Sequence, residues 1–336
     1  MTSTLSRRAV LAGLTGSVMA SSIPAAKAAD KLRVGKAVSE NFGFVPLDIG
    51  IEAGIFRKEN LDIEELIFTG GAKVAQAMAA GSIDISLSAG PDMAFVAKGA
   101  PEIAIASISS SPGFMGFSVG TQSTARALDD LRGTKIGVTS PGSLTDWLVE
   151  DLNRAKGWTG ADRAVAVAIG GSLAADVAAL KTGEVAASVG NAQLGYMLEQ
   201  EKVGRLLADC AEYVKSIELF TIFASNALVR QNPEAVRRFL KGWFETVAFM
   251  KHNKAKTVEI AAKATGYLPQ VTARTYDNLI SEFSTDGRFK PEALETLRVS
   301  FIDMKTLPGP IDMEKLFTTA FLPKPSAARV GMGMKG

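Results

Sequence analysis

Residues 61–88 read LDIEELIFTGGAKVAQAMAAGSIDISLS and decide the fold. The first eight and the last six of these residues form short, largely apolar runs typical of strands, and the segment 72–80 between them predicts a helix. Working outward, we expect another strand at 32–38 and a helix near 46–59. This alternation of strands and helices predicts a parallel sheet with helices on both faces.

The same alternation restarts near Thr134. Val34-Gly35 matches Ile136-Gly137 at an offset of 102 residues, and Gly70-Gly71 matches Gly170-Gly171 at an offset of 100. The sequence therefore predicts two α/β lobes built on one plan. A mainly helical region opens at Asn232-Pro233-Glu234, where Asn is a suitable N-cap. The strands and helices expected in the second lobe lie at 134–138, 144–156, 164–169, 173–181 and 185–189.

The first 29 residues have the pattern of a cleaved export signal. Arg7 and Arg8 precede an uncharged stretch too short and Gly-rich to span a bilayer, and Ala26-Lys27-Ala28 is a small-residue cleavage signal. The paired arginines resemble a twin-arginine signal, although the residues after them depart from that motif. We therefore expect residues 1–29 to be removed and the mature chain to act in the periplasm. At the other end, the Gly-rich residues 326–336 are expected to form a flexible tail.

The composition is that of an ordinary folded protein, with 47% hydrophobic and 21% charged residues among 336. The formal charge is +2, and loss of the three basic residues of the signal leaves about −1. The mature chain therefore lacks the basic excess that binds nucleic acid or an anionic membrane. Cys210 and His252 are the only residues of their types. This excludes thiolate and multi-histidine metal sites, and we expect neither a metal nor a cofactor.

Gly- and Ser-rich turns follow the predicted strands. In a parallel sheet such turns lie at the carboxyl ends of the strands, where ligands bind. Free N–H groups at helix N-termini attract anions, and glycine lets a ligand approach the backbone. None of the turns has a nucleotide-binding fingerprint. We therefore predict a cleft between two lobes that holds a small ligand, anionic at one end and partly apolar elsewhere. The turns lie at 39–46, 69–72, 88–91, 140–143 and 170–172.

The run Val45-Pro-Leu-Asp-Ile-Gly-Ile-Glu-Ala-Gly-Ile-Phe-Arg-Lys-Glu-Asn-Leu-Asp-Ile63 resembles the opening of a family of periplasmic solute-binding proteins. These proteins serve ABC importers of sulfonate, taurine and nitrate, and the family includes the related NMT1/THI5-like binders of thiamine-pyrimidine precursors. The order of the motifs is more specific than any one of them. The resemblance continues through 71–88, 131–138, 179–185 and 232–240, within a match covering residues 31–265.

The resemblance implies an α/β fold of the type II periplasmic-binding-protein kind. Two doubly wound lobes would be joined by two crossovers near 118–121 and 222–226, with the ligand cleft between them. Lobe one would comprise 30–118 and 225–325, and lobe two 119–224.

The resemblance also implies hinged closure on the ligand and delivery to an ABC permease and its ATPase. We expect the mature protein to be a monomer. A sulfonate-like organic anion is the expected ligand, and a neutral pyrimidine or aromatic metabolite is the alternative. The implied ligand contacts are Ser39, Asn41, Phe42, Gly71, Ala72, Ser88, Ala89, Gly90, Ser140, Gly142, Ser143, Gly171, Ser172 and Asn191.

Two other classes of function share this fold. A sensory receptor would present the closed form to a signalling protein instead of a permease. The related pyrimidine synthases need a cysteine-rich motif and an active-site histidine, and the related desulfinases use a loop cysteine. Because Cys210 lies outside every predicted turn and His252 belongs to a late helix, the sequence predicts that the protein is not an enzyme and has no catalytic residues.

Overall fold

The computed structural model describes residues 28–309 and 311–324. The predicted export signal falls almost wholly outside the described residues, and the predicted tail lies entirely outside them. Ten strands occur in the described part of the chain: β1 (Asp30–Lys36), β2 (Leu61–Ile67), β3 (Ile85–Ala89), β4 (Glu102–Ser109), β5 (Met115–Gly120), β6 (Lys135–Val138), β7 (Val165–Ala168), β8 (Ala187–Asn191), β9 (Gly204–Asp209) and β10 (Phe220–Ser225).

The strands form two five-stranded sheets of the same topology. The first has the order β2-β1-β3-β10-β4 and the second β7-β6-β8-β5-β9. We call each sheet with its covering helices a lobe, so that lobe one contains β1 and lobe two contains β6. Val34 pairs with Ile85 in lobe one, and Ile136 pairs with Ala187 in lobe two. Both residues of the second pair lie 102 positions beyond their counterparts, so the predicted repeat of one plan is confirmed in the strand register.

The predicted parallel pairing is confirmed for β1, β2 and β3 in lobe one and for β6, β7 and β8 in lobe two, whereas each sheet as a whole is mixed. In lobe one, β10 runs antiparallel to β3 and β4, and in lobe two β5 runs antiparallel to β8 and β9. These two strands are the first that the chain forms after passing from one lobe to the other. A strand that enters from the opposite lobe has no crossover helix to set it parallel, so it joins the sheet in the reverse direction.

The chain changes sheets at two places. It leaves lobe one after β4 and enters lobe two at β5, which begins at Met115. It returns between β9 and β10, across residues 210–219. The segments 118–121 and 222–226, where the crossovers were expected, lie mostly within β5 and β10. Each change of sheet therefore lies a few residues before the segment that the resemblance implies.

The helices lie where the strand-helix alternation predicts them, with additional ones in both lobes. Helix α5 illustrates the local signals: Ser143 caps it by accepting a hydrogen bond from the Asp146 amide, and Gly157 ends it at a φ of +66°. The helices are α1 (Val45–Glu52), α2 (Ile55–Lys58), α3 (Gly71–Ala79), α4 (Met93–Ala97), α5 (Leu144–Lys156), α6 (Leu173–Thr182), α7 (Ala192–Gln200), α8 (Asn226–Gln231), α9 (Pro233–His252), α10 (Lys254–Thr265), α11 (Pro269–Leu279) and α12 (Pro291–Asp303).

The C-terminal helices complete lobe one. The apolar stripe of α9 is buried, and its Phe239 ring stacks on Phe56 of α2 with ring centroids 5.3 Å apart. Trp243, in the same stripe, is fully buried, as its helical spacing predicts. The segment between α11 and α12 also contacts this lobe, since the Gly287 carbonyl accepts a hydrogen bond from the Ser107 amide of β4. No helix in the described ranges is long and apolar enough to cross a membrane.

Candidate functional site

A cavity lies between the lobes, at the ends of the strands where the predicted turns meet. The space between its walls, counted together with the part that opens to solvent, is about 750 Å³. Both lobes and the C-terminal helices contribute to its walls. Apart from residues predicted from the sequence, the lining comprises Ala37, Val38, Glu40, Phe44, Gly70, Asp92, Met115, Thr139, Leu144, Thr145, Leu173, Asp176, Val189, Gly190, Leu194, Phe220 and Tyr267.

Half of the fourteen residues proposed from sequence line this cavity. The seven that do so are Asn41, Gly71, Ser88, Ala89, Ser143, Gly171 and Asn191. The other seven lie beside it without forming its wall, and they are Ser39, Phe42, Ala72, Gly90, Ser140, Gly142 and Ser172. Phe42 shows the reason, because its ring is 1% exposed and packs edge-on against Phe283, 5.9 Å away between centroids. A turn brings only some of its side chains to the cleft.

Several main-chain amides of these turns already donate within the protein. The Gly90 amide donates to the Leu219 carbonyl at 3.0 Å, and the Gly142 amide donates to the Asp146 carboxylate at 2.7 Å. An N–H group with an internal acceptor gains little from a ligand oxygen. The Gly90 and Gly142 amides are therefore occupied within the protein, and neither residue lines the cavity.

Asp92 places a buried carboxyl in the lobe-one wall. It is 4% exposed, and its Oδ2 accepts hydrogen bonds from the Ser88 hydroxyl and from the Ala89 amide at 3.3 Å. Burial raises the pKa of Asp92 to about 6, against the lowering effect of these two bonds. A Cβ added to Gly71 would lie 2.1 Å from Asp92 Oδ2. The carboxyl thus packs on the first residue of α3, where the sequence predicts an incoming anion.

Asp176 places a second carboxyl in the opposite wall. It lies in the first turn of α6, and its Oδ1 accepts a hydrogen bond from the Ser188 hydroxyl. Burial raises the pKa of Asp176 to about 6, the Ser188 bond lowers it, and the negative charge of Glu40 raises it further. Because Glu40 belongs to lobe one, this influence acts across the cleft.

Tyr267 closes the cavity from the C-terminal region, between α10 and α11. It is 5% exposed, and its hydroxyl has no hydrogen-bond partner among the described residues. Burial, and then the charges of Asp176 and Glu40, raise the pKa of Tyr267. The phenol therefore stays protonated and can donate a hydrogen bond into the cavity.

The charges on the lining are all of one sign. Glu40, Asp92 and Asp176 line the cavity, and the part of its wall that the structure describes includes no Lys, Arg or His. The described ranges also hold no group of three or more His, Cys, Asp or Glu side chains able to bind a metal ion. The site offers carboxylate and hydroxyl oxygens, so it suits a ligand that donates hydrogen bonds.

The lobes touch on both sides of the cavity. The Asn191 side-chain amide of lobe two donates to the Glu40 carbonyl of lobe one at 3.2 Å. Further out, the Asn278 side chain on α11 donates to the Tyr196 hydroxyl on α7 at 3.0 Å. These bonds hold the lobes together over the cavity, which is the arrangement that encloses a ligand.

Sequence reasoning missed the residues that reach the cavity from outside the predicted turns. Asp176 lies inside a helix whose pattern gives no sign of a site, and Tyr267 lies 95 residues beyond the last predicted turn, 170–172. Asp92 follows the predicted turn 88–91 directly, at a helix start where a carboxylate also has a purely stabilising role. A signal was available for Asp92 in its spacing of four residues from Ser88, which its carboxyl contacts.

Two mixed sheets of identical order with a cleft between them define the two-lobed periplasmic-binding-protein class of folds. The chain belongs to the NMT1/THI5-like family, whose model matches residues 41–256, and the resemblance noted in the sequence is thereby confirmed. A Brucella abortus protein named as a "putative binding protein" is 29% identical over 247 residues, which cover 72% of this chain and 74% of that one.

Solved structures show the same fold. The alkanesulfonate-binding protein SsuA of Xanthomonas axonopodis pv. citri, bound to MOPS, has a TM-score of 0.71 and 18% identity, covering 87% of this chain and 99% of that one. The nitrate-binding protein NrtA of Synechocystis PCC 6803 has a TM-score of 0.70 and 16% identity, covering 87% of each chain. The predicted fold class is confirmed by these likenesses.

Proposed function

We propose that this protein is the periplasmic ligand-binding component of an ABC importer, which captures a small solute by closure of its lobes and delivers it to a permease. The observation that carries the proposal is the cavity walled by both lobes and bridged by the Asn191–Glu40 hydrogen bond. Membership of the NMT1/THI5-like family and the likeness to binding proteins support it. The export signal read from the sequence agrees with such a location.

The charges of the cavity favour one of the two ligand classes considered from sequence. A sulfonate would face Glu40, Asp92 and Asp176 with no basic side chain in the described lining to offset them. A neutral heterocycle with amino groups could instead donate to these oxygens and lie against apolar residues such as Phe44 and Leu194. We therefore favour a solute that donates hydrogen bonds and carries no negative charge.

The protein's cysteine and histidine, the residue types that the related enzymes use, are placed as in a protein that binds its ligand without catalysis. Cys210 is fully buried, and burial raises the pKa of its thiol well above the usual range, so the nucleophilic thiolate is disfavoured. His252 ends α9, where its Nδ1 lies 2.7 Å from the Ala248 carbonyl, and it does not line the cavity. Neither residue is placed to transform a bound solute.

A thermal-shift screen of the purified mature protein against sulfonates, carboxylates and aminopyrimidines tests the proposal. A ligand at one hundred times its dissociation constant stabilises the folded state by about 2.7 kcal/mol, which gives a visible rise in Tm. Uptake of the best ligand is then measured in cells that lack the gene. Loss of uptake supports transport, whereas intact uptake with lost regulation would point to a sensor. Conversion of the ligand by the purified protein contradicts the proposal.

A further inference from the structure

The cavity brings like charges together from opposite lobes. Glu40 of lobe one and Asp176 of lobe two both line it, and the charge of Glu40 acts on the titration of Asp176. Two carboxylates that approach as the lobes close repel each other, and the repulsion is strong where little water remains between them. Closure over an empty cavity therefore costs free energy that a bound positive charge would remove.

The third carboxyl also lacks a positive partner. Asp92 is 4% exposed, its Oδ2 is held by neutral donors, and no salt bridge involving it occurs among the described residues. A buried carboxylate without a cation is costly, which is why its pKa is raised. Because the described side chains form no metal-binding group, a metal ion does not fit this role. An organic cation would fit it.

From these observations we infer that the ligand is a small organic cation, a protonated amine or amidinium, held by Asp176 and Glu40 across the cleft with Asp92 at the lobe-one wall. This inference rests on the proposed function and narrows it to one class of solute. The ligand's N–H groups donate to the carboxylates in charge-assisted hydrogen bonds, and its charge removes the repulsion that opposes closure. Asn41 and Tyr267, each at least nine-tenths buried in the wall, complete a polar lining.

The inference requires binding to weaken in acid. The groups facing Asp176 are Glu40, Tyr267 and the Ser188 hydroxyl, and those near Asp92 are the Ser88 hydroxyl and Glu102. With pKa values of about 6, both aspartates are ionised at pH 8 and largely protonated at pH 5. Protonation removes the charges that hold the cation, so affinity should fall by about tenfold or more between these pH values.

The experiment compares matched compounds that differ in the charge of one group. Benzylamine, benzyl alcohol and benzoate form one series, butylamine, butanol and butanoate form a second, and the neutral 4-amino-2-methylpyrimidine completes the set. Thermal shift and calorimetry at millimolar concentrations should rank the amine first in each series at pH 8, about tenfold tighter than the alcohol. Asp176→Asn and Asp92→Asn should each remove most of this preference. Asp129→Asn, at a lobe-two residue whose side chain is 68% exposed and outside the cavity, should retain it.

The outcomes separate this inference from the proposed function. If the protein binds the pyrimidine or an alcohol in preference to the amines, the inference of a cationic ligand is wrong and the proposed binding role is unaffected. Preference for benzoate or butanoate overturns it as well, and so does failure of every amine to shift the Tm. If the preference for amines persists in both Asp variants, these carboxylates do not hold the cation and the assignment of the site is wrong. The transport role itself fails if uptake is intact without the gene or if the purified protein converts its ligand.

Discussion

The two lobes share a backbone plan but place their buried acids at different positions. At the offset of 102 residues seen in the strand register, Asp92 of lobe one corresponds to Leu194 of lobe two. Helices α3 and α6 begin 102 residues apart as well, so Asp176 corresponds to Val74, which is a core residue. Each lobe thus contributes to the cavity one aspartate whose pKa is raised, Asp92 and Asp176, and each comes from a different element.

The local chemistry of the two acids is nevertheless the same. Asp92 accepts a hydrogen bond from the Ser88 hydroxyl and Asp176 from the Ser188 hydroxyl, and burial raises the pKa of each carboxyl to about 6. Matching strands supply the serines, whereas the acids come from a turn in one lobe and a helix in the other. The repeated backbone therefore sets the geometry of the cleft, and unrepeated side chains set what it binds.

The largest loss of stability is expected from substitution of Gly90, whose counterpart in lobe two is Ala192. A Cβ added to Gly90 would lie 1.7 Å from the carbonyl oxygen of Glu218, in the returning crossover. Because backbone must move to relieve this contact, Gly90→Ala should destabilise the protein by about 3 kcal/mol or more, measured by urea unfolding.

Gly190→Ala is the matched control, because a Cβ there meets no atom within 4 Å. Its free energy of unfolding should stay within about 0.5 kcal/mol of the wild type. Equal stability of the two variants would mean that the close approach of Gly90 to the crossover is not rigid.

A smaller effect of opposite sign is expected from the two acids. Since the folded pKa of Asp92 is raised from 3.8 to about 6, its contribution to stability is lost as pH rises from about 4 to 6 and is constant above that. Asp92→Asn should therefore stabilise the ligand-free protein by about 1–3 kcal/mol at pH 8 and have little effect at pH 4. Unfolding curves at the two pH values measure this difference.

Asp176→Asn should show the same sign with a smaller gain, because Asp176 is only partly buried. A stabilised variant that loses its ligand would mark the acids as residues kept for binding at the expense of stability. Destabilisation by Asp92→Asn at pH 8 would contradict the view that its charge is uncompensated.

The sequence predicted the lobes better than it predicted the site. Short apolar runs and capped helices are local signals, and the two halves repeat them, so the elements and their order could be read directly. The cavity wall depends on tertiary contacts that local signals do not contain: Tyr267 arrives from a distant helical region, and Gly90 is held against Glu218 by the crossover. The turns indicated where the cleft lies, but not which of their residues line it or that the neighbouring side chains are acidic.

The smallest effects concern the contacts that join the lobes outside the cavity. The Trp147 indole of lobe two, 6% exposed, donates to the Ser300 hydroxyl of α12 at 3.0 Å. Ser300→Ala leaves this buried donor without its acceptor and should cost about 1 kcal/mol in urea unfolding. By contrast, the ion pair of Arg274 and Glu199 lies near the surface. Its charged atoms are 2.7 Å apart, and the two side chains are 49% and 34% exposed.

Glu199→Gln should therefore cost about 0.5 kcal/mol or less, because water already screens the pair and the glutamine oxygen can still accept from the Leu206 amide. Small-angle scattering of both variants without ligand tests the contrast further. Ser300→Ala should shift the lobes towards an open form more than Glu199→Gln does, since only the first change leaves a buried group that gains by meeting water. An equal or larger opening in Glu199→Gln would place the control of closure at the surface pair instead of the buried one.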